Sequence, residues 1–482
     1  MPPSSETSAP RIPPQPNAPR RGKGMFVVAL AVLLAVEGYY FLNAEIRDPI
    51  HLPIGLTMLA LAAIPALLWA KRGRSSLPVF EVLMLTTANA YAFPLLNGHR
   101  DLILYSPEDI TRAGLAVILF QFCAILVYEA TRGRPSQRAF WREEVVSQNI
   151  GQVMIYGIAL NTVYLYISTF TELVPSSVES ILRAIFFGIG IVSTFITARR
   201  LGENRLSTGE RAFFFVNVFV QVVLMMSTLF LVSAVSLLLL TLVGYVSGSS
   251  RLPLIPMLVV LFGIAVLHNG KSEMRDKYWV NEYPAPGLLE LPSFYAEWFQ
   301  DGWKFHEGEE SHSKLTSKLI DRTSLFHIMC LVVSTTPSTQ PFLDGETYFD
   351  IPAQFVPRVL WPSKPTGHVS TSKLSIYYGL QTEEETQTTT IGFGMVTEAY
   401  ANFGWFGVAG IGAALAFFIK KIQCLAQDSP LFSYGGLVLV ILLAWSFQVE
   451  FTLSIWLASL YQACVAVLII PLMLRKLFGS VS

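Results

Sequence analysis

Charged residues are scarce in this chain, and neither sign is in excess. Asp, Glu, Lys and Arg account for 14% of its 482 residues, and 34 basic side chains balance 34 acidic ones. Soluble domains of ordinary composition carry about 25% charged residues, so the chain does not resemble one. Because the net charge is zero, the composition also gives no support to a nucleic-acid partner.

Cysteine is equally sparse. The chain has 4 cysteines, and no two of them form a CxxC pair. Each lies singly inside or beside an apolar run, which argues against a disulfide framework and against a zinc site. We interpret Cys123, Cys330, Cys424 and Cys464 as small core residues.

What the chain does have is long apolar segments. Runs of about 17–25 apolar residues recur along it, each long enough to cross a hydrocarbon core of about 30 Å as a helix. They predict an all-α polytopic membrane protein with about 12 transmembrane helices and one large exoplasmic loop that carries short helices. Residues 1–24 are rich in Pro, Ser and Arg and predict a disordered cytoplasmic tail. The apolar run that follows has no small-residue cleavage site, which favours an uncleaved first span.

Basic residues mark alternate connections between the apolar runs. Clusters of Lys and Arg follow the second, fourth and sixth runs, whereas the intervening connections carry few unpaired positive charges. By the positive-inside rule, both termini and the three basic connections are cytoplasmic. We predict a transmembrane bundle of about nine spans over 25–268, a periplasmic or exoplasmic loop over 269–391 and three transmembrane helices over 392–476. The first six predicted spans cover 25–44, 53–70, 78–96, 110–131, 150–170 and 180–198.

The apolar run over 212–247 allows two topologies. It has about 36 residues and would be about 54 Å long as one helix, which exceeds an ordinary span. We favour a tight hairpin that breaks near 227–233, which leaves all of 269–391 on the exoplasmic side. In the alternative, the run is a single helix, the short apolar segment 325–336 crosses the membrane, and 269–322 is cytoplasmic.

Two parts of the predicted loop place basic residues beside apolar sequence. Lys271 and Arg275 follow a predicted span and lie four apart, on one face of a helix. They can bind a diphosphate, since Lys and Arg are natural partners of phosphate oxygens, or they can snorkel to the membrane interface. Arg322 and His327 introduce the apolar segment 325–336, where His327 is either a buried structural histidine or a catalytic one.

A third part of the loop is stiff and basic, and reads FVPRVLWPSKPTGHVST. Its prolines fix φ and prevent a helix, so the backbone can hold Arg358 beside Trp361, with Lys364 and His368 following. A guanidinium stacked on an indole leaves its fork free for a ligand. The structural alternative is an ion pair between Arg358 and one of the acids in 344–350.

The predicted span that follows the loop begins with GFGMVTEAYANFGWFGV. Its glycines permit close helix packing. Glu398, Tyr400 and Asn402 lie near its start. An acid at this depth must either pair with a base or face a wet cavity, and we expect the cavity for Glu398.

The segments FLDGETYF, VPRVLWPSKP and GFGMVTEAYANFGWFGV occur in this order, after GKSEMRDKYW. In this order they resemble the oligosaccharide repeat-unit polymerases of bacterial polysaccharide assembly, the O-antigen polymerase or Wzy type. The resemblance covers about 267–412. It implies a GT-C-like membrane glycosyltransferase of the bacterial inner membrane. Such an enzyme transfers a growing glycan from undecaprenyl diphosphate to a lipid-linked repeat unit on the exoplasmic face.

The resemblance also implies roles and partners. The loop's basic residues would bind the substrate diphosphate, namely Lys271, Arg275, Arg322, Arg358 and Lys364. The candidate catalytic residues are Arg358, Glu398, His327 and His368, and the candidate glycan-binding residues are Trp361, Tyr400 and Asn402. The implied partners are an undecaprenyl-diphosphate-linked oligosaccharide, the lipid bilayer, and a chain-length regulator and flippase of the same pathway.

We expect transfer without a metal ion or another cofactor. Diphosphate is already a good leaving group, and fixed arginines can offset the charge that develops on it. The chain also shows no acidic DxD pair. Two other functions remain open. An O-antigen ligase or related transferase would differ only in its acceptor, and a transporter of lipid-linked glycans would more often show internal repeats, which we do not find here.

Overall fold

A computed structural model describes residues 22–469, except 74–76, 143–149, 172, 174–175, 230, 250–251, 276, 279–282, 285, 305–323, 357–359, 362, 366 and 432. The described residues fold as α-helices joined by loops, and eight of the helices are long and apolar enough to cross a membrane. The protein is therefore an all-α, multi-pass membrane protein. Most of the predicted tail, residues 1–21, lies outside the described residues, whereas its last residues, 22–24, begin the first helix instead.

The helices before the large loop follow the predicted spans closely. They are α1 (Gly22–Asn43), α2 (His51–Lys71), α3 (Val79–Leu96), α4 (Pro107–Ala130), α5 (Ile150–Phe170), α6 (Ser176–Gly202), α7 (Thr208–Met226), α8 (Leu231–Ser249) and α9 (Leu254–Asn269). Local signals set several of their starts. Ser207 and Glu210 form a capping box before α7, and Ser106 accepts a hydrogen bond from the Asp109 amide before α4.

The later helices are more varied in length. They are α10 (Leu291–Lys304), α11 (Phe326–Thr335), α12 (Val369–Tyr377), α13 (Gly394–Leu425), α14 (Tyr434–Trp445) and α15 (Leu453–Cys464). Helices α10 to α12 lie within the predicted loop 269–391, and α13 to α15 lie within the predicted C-terminal segment 392–476. Of the last three, α13 is long and apolar enough to cross a membrane, whereas α14 and α15 are shorter apolar helices. Residues 470–476 of that last predicted segment lie outside the described residues.

The apolar run over 212–247 is a hairpin, as we favoured. Helix α7 ends at Met226 and α8 begins at Leu231, and Leu229 in the turn has a positive φ of 58°. The alternative of one long helix is wrong. In that alternative, the segment 325–336 would cross the membrane. It forms α11, which has only 10 residues and is about 15 Å long, too short to cross a bilayer.

Two close helix contacts organise the bundle. A Cβ added at Gly412 of α13 would lie 2.7 Å from the Phe120 carbonyl oxygen of α4. A Cβ at Gly248 of α8 would lie 2.2 Å from the Arg199 carbonyl oxygen of α6. Only glycine allows such approach, so the predicted use of glycine for close packing is confirmed at α13.

Helix α13 is not continuous. Phe403 and Gly404 leave the helical conformation, and Gly404 adopts φ 57° and ψ −138°. A Cβ at Gly404 would lie 3.0 Å from Phe342, which comes from the loop segment that docks at this point. The break therefore gives the loop a place to pack against the bundle.

Candidate functional site

A cavity of about 480 Å³ lies among α5, α6, α8, α14 and α15, beside the large loop. Apolar side chains form most of its lining and include Phe187, Ile191, Leu237, Leu240 and Trp445. The other part is polar and includes Asn161, Ser233, Ser236, Thr390, Gln448, Ser459 and Gln462. A ligand with both apolar and polar groups suits a mostly apolar lining that carries several polar side chains.

Three ionisable side chains stand on the cavity wall. Arg183 comes from α6, His368 from the residue before α12, and Glu450 from the turn between α14 and α15. The fold thus gathers an arginine, a histidine and a carboxylate from three distant parts of the chain. Sequence reasoning named His368 as a candidate but missed the other two.

Glu450 is held at the cavity by its backbone. Its carbonyl oxygen accepts a hydrogen bond from the Gly394 amide at 3.0 Å, which ties the α14–α15 turn to the start of α13. Burial raises the pKa of the Glu450 carboxyl, and the positive charge of Lys271 opposes that rise. The fold therefore brings Lys271 into electrostatic range of the cavity wall.

His368 occupies the N-cap position of α12. Partial desolvation by the surrounding protein lowers the pKa of its imidazole, so the ring is neutral at pH 7. A neutral imidazole can accept a proton or a hydrogen bond.

Two predicted arginines, Arg322 and Arg358, lie outside the described residues. Phe355, which precedes Arg358, packs edge to face against Tyr461 of α15 with ring centroids 5.1 Å apart. Tyr461 is followed by Gln462 of the cavity wall. The chain leading to Arg358 is thus anchored beside the cavity.

Lys364 and Arg275 donate hydrogen bonds to backbone carbonyl oxygens. The Lys364 ammonium donates to the carbonyl oxygens of Val356 at 2.9 Å and Gln354 at 3.4 Å, within its own loop. Arg275 donates to the Leu229 carbonyl oxygen at 3.1 Å, in the α7–α8 turn. Neither residue lines the cavity, and the indole of Trp361 is exposed on the loop.

Glu398 does not face a wet cavity, so that expectation is wrong. Its side chain is fully buried, and its carboxylate accepts the Leu453 amide at 2.7 Å. Leu453 is the first residue of α15, where free amides and the helix dipole stabilise a carboxylate without a basic partner.

Asn402 holds the loop onto α13. Its side chain accepts the Gly345 amide at 3.0 Å and donates to the Thr347 hydroxyl at 2.9 Å and to the Glu398 carbonyl oxygen at 2.8 Å. Tyr400 is buried and packs edge to face against Phe342. Glu398, Tyr400 and Asn402 therefore fasten the FLDGETYF segment to the bundle, and none of them lines the cavity.

His327 is part of a separate pair. Its ring stacks on that of His99 with centroids 4.6 Å apart, and its Nδ1 lies 3.1 Å from the Ser324 hydroxyl. Burial, together with His99, lowers the pKa of His327 to about 4, so the ring is neutral at pH 7. The sequence left His327 as either a structural or a catalytic histidine. The structure places it, half-buried, near the start of α11 and does not bring it to the cavity.

Among the described residues, no group of three or more His, Cys, Asp or Glu side chains is placed to hold a metal ion. The fold and the cavity define a multi-pass, all-α membrane protein in which a long loop folds against the helix bundle. No protein-family model, curated protein or solved structure matches the chain.

Proposed function

We propose that this protein is a membrane glycosyltransferase that polymerises lipid-linked oligosaccharide repeat units into an O-antigen, a capsule or an exopolysaccharide. The observation that carries the proposal is the cavity, whose mostly apolar lining also carries amide and hydroxyl side chains, with Arg183, His368 and Glu450 on its wall. Its place beside the loop that resembles the polymerases supports the same function.

The chemistry of the cavity suits this reaction. The substrate joins a polyprenyl chain, a diphosphate and a glycan, which need apolar surface, cations and hydrogen-bonding groups respectively. Arg183 supplies a cation on the wall, and Lys271 contributes charge from beside it. Gln448, Gln462 and Asn161 supply amide groups suited to sugar hydroxyls. In this proposal, Arg358 also contacts the diphosphate.

The proposed location is the bacterial inner membrane, with both termini cytoplasmic and the large loop periplasmic. The substrate is then an undecaprenyl-diphosphate-linked oligosaccharide that a flippase delivers, and a chain-length regulator acts on the product. A ligase or other transferase is the alternative within the same chemistry, and a lipid-linked glycan transporter is the alternative outside it.

The test is an assay of the purified protein in lipid nanodiscs with one lipid-linked repeat unit. We expect a ladder of products on a gel, because each product is again a donor. A single addition would indicate a ligase instead. If no glycosidic bond forms, and the protein in liposomes moves the substrate between leaflets, the transporter alternative is correct.

The same assay tests the proposed role of Arg358 with the variant Arg358→Ala. We expect it to abolish chain lengthening while membrane insertion is unchanged, because it removes the proposed diphosphate contact. Wild-type polymer lengths in this variant would contradict the role of Arg358.

We also propose that transfer needs no metal ion. Purified enzyme treated with EDTA should keep its rate, since fixed cations offset the charge of the leaving diphosphate. Loss of activity that Mg²⁺ or Mn²⁺ restores would contradict this prediction.

A further inference from the structure

The carboxylates near the large loop differ in what they contact. Asp350 and Glu346 form ion pairs with Lys373, at 2.9 Å and 3.8 Å. Glu398 is fully buried, and one of its carboxylate oxygens accepts the Leu453 amide. Glu450 instead lines the cavity, and none of the described residues donates a hydrogen bond to its carboxylate.

The position of Glu450 is closely defined. Beyond the hydrogen bond from Gly394 to its carbonyl oxygen, a Cβ at Gly394 would lie 2.9 Å from the Val449 carbonyl oxygen. A Cβ at Gly392 would lie 3.4 Å from the Glu450 Cβ. Gly394, which has a positive φ of 72°, lets the start of α13 approach the turn, so the backbone holds the carboxylate at the wall without occupying its oxygens.

We propose that Glu450 accepts the proton of the sugar hydroxyl that attacks the donor, an inference that rests on the proposed function. The acceptor oxygen forms a bond to the anomeric carbon of the donor glycan as the bond from that carbon to the diphosphate oxygen breaks. The hydroxyl proton passes to the Glu450 carboxylate, and undecaprenyl diphosphate leaves with the bonding electrons. Glu450 then returns the proton to solvent.

The charges around Glu450 fit this role. Its ionisable neighbours on the wall are Arg183 and His368, and Lys271 acts on it through its charge. Burial raises the pKa of Glu450 and makes it a stronger base, while Lys271 keeps the ionised form accessible. Because the carboxylate form is the active one, activity should be present above the pKa of Glu450 and should be lost as pH falls through it.

The first test compares Glu450→Gln with Glu383→Gln in the nanodisc assay with the lipid-linked repeat unit. Glu383 is exposed on the loop and does not line the cavity, so its variant is the matched control. We expect Glu450→Gln to lower the rate of elongation about 100-fold to 10,000-fold, the usual contribution of a general base, and to retain substrate binding. The Glu383→Gln rate should stay at the wild-type value.

The second test uses pH and does not depend on the Gln variant folding. Lys271→Met removes a positive charge that favours ionised Glu450, so the acid limb of the elongation rate should move to higher pH. An unmoved limb would overturn the proposal, as would an acid limb that disappears in His368→Asn.

These experiments distinguish an error in the role of Glu450 from an error in the proposed function. If the wild-type protein elongates the glycan and Glu450→Gln folds and does so at a similar rate, the role of Glu450 is wrong and the proposed function stands. If the wild-type protein forms no glycosidic bond, the proposed function is wrong, and the role of Glu450 is wrong with it.

Discussion

Arg183 places an exposed guanidinium on the wall of the cavity, just before the apolar span Ile185–Gly202 of α6. A guanidinium can bind an anion such as a phosphate group through two parallel hydrogen bonds. On the same wall, Glu450 adds a negative charge and His368 a neutral ring. Binding of an anion in this cavity should therefore depend first on Arg183.

Replacing Arg183 with Met keeps an unbranched apolar stem and removes the charge. We expect the KM for the lipid-linked repeat unit to rise about 10-fold to 100-fold, since hydrogen bonds to charged groups contribute about 1.5–3 kcal/mol. The control is Arg205→Met, because Arg205 is exposed on the connection after α6 and does not line the cavity. Equal KM values for the two variants would contradict a binding role for Arg183.

The contacts of single side chains were the hardest feature to predict from the sequence. The sequence shows that Arg275 and Asn402 are polar groups near apolar segments, but not that the Leu229 carbonyl and the FLDGETYF segment occupy their hydrogen bonds. Arg183 did carry a signal, as an arginine inside the predicted span 180–198. Glu450 carried little, because only the tertiary fold brings its turn to the start of α13.

Among the elements, α13 depends on its break. Gly404→Ala should lower thermal stability in detergent by about 1–3 kcal/mol, because its backbone conformation is strained for any residue with a Cβ and Phe342 lies 3.0 Å from the added atom. Gly410→Ala, on the same helix, has nothing within 4 Å of the added Cβ and should be neutral or stabilising. Equal melting temperatures for the two variants would show that the break is unimportant.

The turn between α1 and α2 is held by Asp48. Its carboxylate accepts the amides of Ile50 and His51 at 3.0 Å and 2.8 Å, and lies 2.8 Å from His51 Nδ1. Burial favours a higher pKa for Asp48, but these hydrogen bonds and the His51 ring outweigh it and lower the pKa. Ionised Asp48 therefore stabilises the fold above its unfolded-state pKa, and that stabilisation is lost as pH falls through the folded-state pKa.

This linkage predicts a pH-dependent difference between wild type and Asp48→Asn. At pH 7 the variant should melt at a lower temperature, because it loses the charge-assisted hydrogen bonds. The difference should shrink below the unfolded-state pKa of about 3.9 as Asp48 becomes protonated. A difference that persists unchanged at low pH would show that the charge of Asp48 is unimportant.

Long elements could be predicted from the sequence because apolar length alone identifies a span. The hairpin at 212–247 followed from the same argument, since one helix would have been too long. The apolar segment 325–336 likewise indicated α11, whereas α12 has no apolar run and could not be assigned in this way. Their ends depend on tertiary contacts, such as the hydrogen bond from the Leu325 amide to the Ala90 carbonyl oxygen of α3.

At the scale of the molecule, the large loop is fastened to the bundle at several places. Trp298 of α10 donates to the Leu267 carbonyl oxygen of α9 at 2.6 Å, and Tyr295 donates to the Val223 carbonyl oxygen of α7 at 2.6 Å. Further along, Ser370 of α12 hydrogen-bonds Thr452 at 2.9 Å. Contacts of this kind make the loop part of the folded core, so it cannot be a flexible tether.

The predicted topology can be tested with cysteines in a background that lacks the four native ones. Ser370 is fully buried and would react slowly on either side, so the exposed Ser363 is the better loop position. We expect Ser363→Cys to react with an impermeant thiol reagent in intact spheroplasts. Gln137→Cys, on the basic connection after α4, should react only after permeabilisation. The reverse pattern would invert the topology.

Helix α11 also has a consequence for biosynthesis. It is buried and too short to enter a bilayer by itself, and two of its packing partners are α4, made long before it, and α13, made after it. The packing of α11 in a nascent chain therefore cannot be complete until α13 has been inserted. The cavity wall needs α14, α15 and the turn between them, which are translated last. If translation stops before α14, the truncated protein has most of its membrane helices but lacks part of the cavity wall.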